Sequence, residues 1–445
     1  MTTARKILHS GTNRRTILAG LAAIPLGFAA GRPAFAQDKT LTIGILDFLE
    51  LSLKPVFEAY QVARPGTLIE YSMLPSTGAE LRQTLLTRRI SNTLPDITYL
   101  ADIFSTQFAE AGITTDMRAF LTSGGPITEG SFAAPFLNQY LMAGGDLQGG
   151  IFGLPYGADT VVLFFNKMHF DAVGLPYPDD TWTFEKQAEV MRAMTVKDGA
   201  MTTRYGSAIN VPWHATYVPG IEARGDTLLN EEGLYKLTTP AAIETFTSLW
   251  NLVNEGVLAS ETQLRQQGGT LGAFTSGTAS MFQGVRAHVP SVRAAMTDDW
   301  DVALVPSING VRKTGMGSIA QAITPSGQAN NAELAYDFLN WFYSEDGGMK
   351  VLTATYGVVP PVTELFDSPI WLDLPGPPYN NRVFSESITF GTMNPTQIPA
   401  SVQSVVDAQL RVAEEAVTLT GADIATSLAE AEAIINEAMA LELVQ

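Results

Sequence analysis

The sequence predicts an α/β protein made of two lobes that are joined by several crossings of the chain. The first segments alternate in a β-α-β-α-β pattern, which is typical of a parallel sheet with right-handed crossovers. The chain has 445 residues, of which 46% are hydrophobic. A globular chain of this length normally divides into two or more compact cores. Three glycine- or proline-rich breaks divide the later chain into mixed helix and strand patterns. Together these observations favour a two-lobed, hinged architecture.

The opening alternation is visible in the apolar patterning. Short runs of apolar and β-branched residues predict strands at residues 41–46, 68–74 and 95–100. Apolar residues spaced i, i+3, i+4 and i+7 predict the first intervening helix: Leu53, Val56, Phe57 and Tyr60. A second helix is predicted around residues 81–89. Ligands of parallel sheets bind beyond the carboxyl ends of the strands, where Asp47 and Asp102 follow the first and third strands.

The later chain alternates between breaks and helical patterns. The three breaks are predicted at residues 144–157, 306–317 and 357–361. Helical patterns cover residues 240–255, 334–342 and 402–443, and Thr183 is placed to cap the start of another helix. No repeat of 20 to 50 residues occurs, which argues against a solenoid or a propeller.

Residues 1–36 are predicted to be an export signal. They contain five basic residues and no acid, followed by an apolar run to Ala30 and the small-x-small site Ala34-Phe35-Ala36. The pair Arg14-Arg15 favours twin-arginine export over the general secretory route, and cleavage is expected after Ala36. A membrane anchor is the alternative, but the apolar run is short and is interrupted by glycine and proline. We therefore expect a free periplasmic protein without a membrane anchor.

Charge and composition exclude several classes of function. The net charge is −18, and without residues 1–36 it becomes −23, since 22 basic residues then face 45 acidic ones. This charge argues against nucleic acid as a partner. The chain contains no cysteine and only four histidines, none at metal-binding spacing. No catalytic motif is recognisable, so we expect neither an enzyme nor a metal or cofactor. Asp102 and Asp159 nevertheless leave open a glycosidase-like carboxylate pair.

Several short motifs occur in an order that resembles a known family. They are Pro-Asp-Ile at 95–97, Gly-Leu-Pro-Tyr at 153–156, Val-Leu-Phe-Phe-Asn-Lys at 162–167, Thr-Trp-Thr-Phe at 181–184, Gly-Thr-Ala-Ser-Met at 277–281 and Gly-Val-Val-Pro at 357–360. The sequence resembles the extracellular solute-binding proteins of ABC transporters, in the sugar-binding family that includes maltose-binding protein. This resemblance implies the periplasmic binding protein fold, in which two α/β lobes close on a ligand in the cleft between them. It places the N-terminal lobe at residues 38–155 plus 306–356 and the C-terminal lobe at 157–305 plus 357–445.

The resemblance also implies a set of substrate-binding residues. Sugars present hydroxyls to carboxylates and amides, and apolar C–H faces to aromatic rings. The residues implied are Asp47, Asp102, Ile103, Tyr156, Asp159, Trp213, Gln283, Arg286, Gly315, Met316, Gly317 and Arg382. Arg286 departs from the family, which commonly presents a tryptophan near this position.

Other roles remain open for several of these residues. Asp47 and Asp102 are also good helix caps, and Trp213 is also a candidate core residue. Arg286 and Arg382 are either solvated surface charges or partners for an anionic sugar, because a guanidinium pairs well with an acidic substituent. Gly315 and Gly317 either let the backbone approach a ligand or serve the hinge.

The function implied is that of a monomeric periplasmic substrate-binding protein of a carbohydrate ABC importer. It would capture a sugar, including an anionic one, by hinge closure and deliver it to the permease in the inner membrane. Two alternatives remain: a binding protein for a non-sugar polar solute, such as a glycerol phosphodiester or a polyamine, and a secreted glycoside-active enzyme.

Overall fold

A computed structural model describes residues 39–75, 78–393 and 398–443, so the export signal predicted at residues 1–36 lies outside the described residues. The strands are β1 Lys39–Leu46, β2 Thr67–Leu74, β3 Ile97–Ala101, β4 Leu154–Pro155, β5 Asp159–Thr160, β6 Val162–Asn166, β7 Val196–Asp198, β8 Met201–Arg204, β9 Met281–Gly284, β10 Trp300–Ala303, β11 Thr314–Gly317, β12 Ile319–Ile323 and β13 Gly391–Met393.

The helices connect these strands and cover their faces. They are α1 Glu50–Ala63, α2 Gly78–Ile90, α3 Ser105–Glu110, α4 Arg118–Leu121, α5 Ala134–Asn138, α6 Lys167–Val173, α7 Phe184–Met194, α8 His214–Ala223, α9 Pro240–Asn254, α10 Glu261–Gln266, α11 Gly269–Thr275, α12 Val289–Ala295, α13 Pro325–Asn330, α14 Ala332–Phe342, α15 Gly348–Thr353, α16 Pro369–Leu372, α17 Arg382–Glu386, α18 Ala400–Thr420 and α19 Ile424–Leu443. In the described part of the chain, no helix is long and apolar enough to cross a membrane.

The first sheet has five strands in the order β2-β1-β3-β12-β4. β1 runs parallel to both β2 and β3, which confirms the predicted β-α-β-α-β opening. β12 then pairs antiparallel with β3 and β4, so the sheet is mixed rather than wholly parallel. The carboxyl ends of β1 and β3 lie side by side at one edge of this sheet.

The first sheet is held by the apolar stripes of α1 and α14. The predicted stripe of α1 is buried, and its Tyr60 packs edge to face against Phe338 of α14, with ring centroids 5.1 Å apart. Each large apolar side chain buried in this way contributes about 1.5–3 kcal/mol. The 3.6-residue periodicity read from the sequence therefore identifies the faces that form this core.

The second sheet has the order β10-β6-β9, and all its pairings are antiparallel. Phe164 of β6 lies at its centre, 4.5 Å from Phe282 and 5.7 Å from Trp300 between ring centroids. Helices α8, α9, α18 and α19 cover a further core beside this sheet. The predicted cap of α7 is confirmed, because the Thr183 side chain accepts a hydrogen bond from the Lys186 amide.

The chain passes between the two sheets close to the predicted breaks. It leaves the first sheet at β4 and enters the second at β6, and it returns between β10 and β12. A small sheet, β13-β11-β5, lies on these connections, and an isolated bridge joins Ala158 to Val359 near the third break. The lobe boundaries derived from the resemblance remain predictions.

Candidate ligand-binding cleft

Two adjoining cavities, of about 210 and 400 Å³, lie beside the connections between the two sheets. Asp159 and Ile319 line both cavities, so we treat them as one space and call it the cleft. Seven of the predicted substrate-binding residues line it: Asp102, Tyr156, Asp159, Trp213, Gly315, Met316 and Gly317. The fold therefore brings together residues that are more than 200 positions apart in the chain.

Asp102 lies directly after β3, at the carboxyl edge of the first sheet, and is 7% exposed. Its Oδ2 accepts hydrogen bonds from Gln139 Nε2 at 2.9 Å and from the Ser318 amide at 3.0 Å. Asp102 is not the N-cap of the short helical turn that it begins, because Ala101 occupies the N-cap position. The side chain is instead fixed between β3, the segment after α5 and the β11–β12 junction.

Asp159 begins β5 and faces the same space from the connection between the sheets. Its Oδ1 is buried and has no hydrogen-bond partner within the protein. Burial raises the pKa of this carboxyl to about 7, and the charge of Asp102 acts in the same direction. A backbone hydrogen bond from Ala287 and the positive charge of Arg286 oppose the rise in the pKa. A buried carboxyl oxygen without a partner is poised to bind a polar group of a ligand.

Aromatic side chains line the cleft as well. Trp213, directly before α8, is half-buried and rests on Val161, Ala215 and Val305. Tyr156 is buried, with its ring edge to face against Tyr99 at 5.6 Å between centroids. The cleft thus combines carboxylates with aromatic surface, as sugar sites do.

Phe48 is a cleft residue that the sequence interpretation missed. It lines the larger cavity, and 58% of its surface is exposed. The neighbouring Asp47, which was predicted instead, bonds locally through Oδ1 to the Phe48 amide at 2.8 Å and is not among the lining residues. The Asp-Phe pair after β1 was the available sequence signal, and the structure shows that Phe48 is the member of that pair that lines the cleft.

His214 also lines the cleft and was not predicted there. Burial lowers its pKa to about 4, so it is neutral near pH 7 and adds no positive charge to the cleft. Within the described ranges, no three His, Asp or Glu side chains form a group that could hold a metal ion.

Gly315 is needed for packing rather than for ligand approach. A Cβ at this position would come within 2.4 Å of the Ala215 Cβ, so only glycine lets β11 lie against the start of α8. This close approach places Met316 and Gly317 opposite Trp213 in the lining of the cleft.

Four predicted residues do not line the cleft: Asp47, as described above, Gln283, Arg382 and Arg286. Gln283 lines a third, smaller cavity, which adjoins the cleft at Val161 and Ala215 and is also lined by Arg224 and Lys313. The side chain of Ile103 lies outside the described residues. Arg382 is exposed and pairs with Asp367 at the surface. It therefore does not reach the cleft.

Arg286 is the clearest correction among these residues. It has no exposed surface, and its guanidinium lies 5.2 Å from the Trp371 ring and 5.3 Å from the Phe384 ring. The expected pairing with an acidic substituent of a solute does not fit this position, because the guanidinium is sealed within protein.

Comparisons with known proteins agree with this geometry. A family model described as bacterial extracellular solute-binding protein matches residues 56–377. A protein of Brucella abortus (strain 2308), named as a candidate binding protein, is 22% identical over 362 residues, covering 77% of this chain and 80% of its own.

Solved structures share the fold at low sequence identity. The ABC substrate-binding protein of Listeria monocytogenes in complex with cycloalternan superposes with a TM-score of 0.75 and 18% identity, covering 91% of this chain and 100% of its own. The sugar-binding protein MalE of Xanthomonas citri gives a TM-score of 0.73 and 18% identity, over 91% of this chain and 98% of its own. The described architecture is therefore the two-lobed fold of periplasmic binding proteins.

Proposed function

We propose a function from the premise that this chain belongs to the family of bacterial extracellular solute-binding proteins. It is the periplasmic substrate-binding protein of a carbohydrate ABC importer, and it delivers a sugar to the permease in the inner membrane. The solved relatives described above include one bound to cycloalternan and one named as sugar-binding, which supports a carbohydrate as the ligand.

The observation that carries this proposal is the composition of the cleft. The buried Oδ1 of Asp159, which has no partner within the protein, accepts a hydrogen bond from a sugar hydroxyl, and the fixed carboxylate of Asp102 lies in the same cavity. Trp213 and Phe48 offer apolar ring surface against which the C–H face of a sugar packs. Few other metabolites present hydroxyl edges and apolar faces together.

Capture proceeds by closure around the solute. Asp102 is attached to the first sheet, whereas Trp213 precedes a helix packed on the core beside the second sheet. A solute that contacts both groups stabilises the closed arrangement relative to the open one. The permease then recognises the closed, loaded form.

The cleft favours an uncharged sugar over an anionic one. Among the described residues that line the two cavities of the cleft, none is lysine or arginine, while Asp102 and Asp159 are both acidic. Arg224 and Lys313 line the adjoining small cavity, where they pair with Glu244 and Glu222. An acidic substituent would be desolvated there without a countercharge, which costs several kcal/mol. The expectation that Arg286 and Arg382 bind the acidic group of an anionic sugar therefore loses its structural support.

A thermal-shift screen tests the proposed function. Maltose, maltotriose and D-tagatose would be compared with D-glucuronate, D-galacturonate and spermidine. A neutral sugar at 100 times its Kd is expected to stabilise the folded protein by about 2.7 kcal/mol and to raise Tm, since it binds only the folded state. A rise with spermidine or an acidic sugar, and none with a neutral sugar, would contradict the proposal.

A further inference from the structure

Arg286 is a buried cation whose hydrogen-bond partners carry no charge. Its Nε donates to the Val358 carbonyl oxygen at 2.9 Å, and its Nη1 donates to Asn381 Oδ1 at 2.8 Å. Its Nη2 is buried and has no hydrogen-bond partner. A guanidinium remains charged at any physiological pH, so its burial is costly unless a negative charge lies nearby.

The nearby negative charge is Asp159. Ala287, the residue next to Arg286, lines the cleft together with Asp159, and its backbone hydrogen-bonds to the Asp159 carboxylate. Arg286 therefore lies behind the wall of the cleft at the point where Asp159 forms its surface. The attraction is mutual, because Asp159 raises the pKa of Arg286 while burial lowers it to about 10.

We propose that Arg286 is a positioning residue that favours the ionised form of Asp159 from behind the cleft wall and does not touch the solute. The proposal rests on the proposed function only in taking Asp159 as a group that contacts the ligand. Burial and the charge of Asp102 both favour the neutral carboxylic acid at Asp159, and the Ala287 hydrogen bond and the charge of Arg286 offset them only in part, so the pKa of this carboxyl remains raised, at about 7. The ionised carboxylate accepts hydroxyl donors at both oxygens, whereas the acid form keeps one oxygen as a donor.

Because Arg286 is buried away from the cleft, it can act on the charge of Asp159 without contacting the solute. Trp371, Phe384 and Asn381 surround its guanidinium, so an anionic solute cannot compete with Asp159 for it. The carboxyl group of Asp159 is thereby shifted towards its ionised form without adding to the cleft a cation that attracts acids. A solute that donates hydroxyls and carries no negative charge is selected.

Five further titratable groups lie near Asp159 and Arg286. Asp102, Tyr156 and His214 line the cleft, Tyr356 acts on the charge of Arg286, and His288 ends the short turn that Arg286 begins. His214 and His288 are neutral near pH 7, since burial lowers the pKa of each to about 4. Burial raises the pKa of Tyr156, which is therefore also neutral. Arg286 is thus the cation that acts on Asp159.

The test is a pH titration of the full chain without ligand. The ¹³Cγ resonance of Asp159, assigned by its loss in Asp159→Asn, would be followed from pH 4 to pH 10. Arg286→Met is expected to raise the titration midpoint by about one pH unit or more, because the opposing charge is removed. Arg286→Lys, which keeps the charge, is expected to move the midpoint less. Arg382→Met is the matched control, since that arginine pairs with Asp367 at the surface, and it leaves the midpoint unchanged.

The results separate this proposal from the proposed function, since no solute is needed. An unchanged midpoint in Arg286→Met, or equal shifts in the Met and Lys variants, would overturn it. If Arg286→Met does not fold, Arg286→Gln takes its place, because glutamine removes the charge but keeps an amide donor for Val358 or Asn381, and it is expected to raise the midpoint in the same direction. An unchanged midpoint in Arg286→Gln would also overturn the proposal.

Discussion

Trp213→Ala is expected to weaken sugar binding about thirtyfold, a loss of about 2 kcal/mol. The indole ring lines the cleft and offers apolar surface that a sugar face would cover, so its removal deletes buried area on binding. The backbone carbonyl of Trp213, which accepts from the Thr216 amide at 2.8 Å, is retained in alanine, so the start of α8 is preserved. Isothermal titration with the neutral sugar found by thermal shift measures the change in Kd.

The control for Trp213 is an aromatic residue exposed elsewhere. Tyr379→Ala removes a ring that is 59% exposed and contacts Lys167 rather than the cleft, so it should leave the Kd within a factor of two. If Trp213→Ala binds as tightly as the unmodified chain, the indole ring does not contact the sugar and the site is misassigned.

Glu414→Gln is expected to make stability less dependent on pH, by about 2.5 kcal/mol between pH 5 and pH 8. Glu414 in α18 is 1% exposed, and burial raises the pKa of its carboxyl from 4.5 to about 7. Between these values the folded state keeps a proton that the unfolded state releases, so the free energy of unfolding falls as pH rises. Above pH 7 the folded state bears the full free-energy cost of burying an ionised carboxylate, which the neutral glutamine does not have. Urea titrations at pH 5 and pH 8 measure the difference.

Glutamine preserves the geometry at this position, because Glu414 Oε1 accepts from the Glu261 amide at 2.7 Å and an amide oxygen can replace it. Glu430→Gln makes the same chemical change at an exposed position and should not alter the pH dependence. Equal losses of stability from pH 5 to pH 8 in the Glu414 variant and the unmodified chain would show that Glu414 is ionised in the folded state throughout.

The local sequence pattern predicted the helices and strands, but not which strands far apart in the chain pair with each other. The stripe in α1 and the strand preceding Asp102 follow from periodicity, which is a local property. The pairing of β12 with β3 joins Gln321 to Tyr99, and no nearby residue signals it. The sheet was therefore expected to be parallel and is mixed.

The same limit explains the outcome at the site. Asp102, Asp159 and Trp213 were placed by resemblance to a family, and they line one cavity. The burial of Arg286 depends on Trp371 and Asn381, which lie about 90 residues later and carry no motif. Sequence alone identified Arg286 as a departure from the family, and only the packing indicates what it does.

We propose that this protein closes on a sugar held between groups from the two sheets. The chain has no cysteine, so spin labels can be placed uniquely at Lys54→Cys in α1 and Ala294→Cys in α12, both exposed and one turn from cleft-lining residues. Pulsed electron resonance measures the distance between them with and without the neutral sugar found by thermal shift. We predict that the sugar shortens this distance, and that Asp159→Ala at the same sugar concentration prevents the change. A label distance that is unchanged in the presence of a bound sugar would contradict capture by closure.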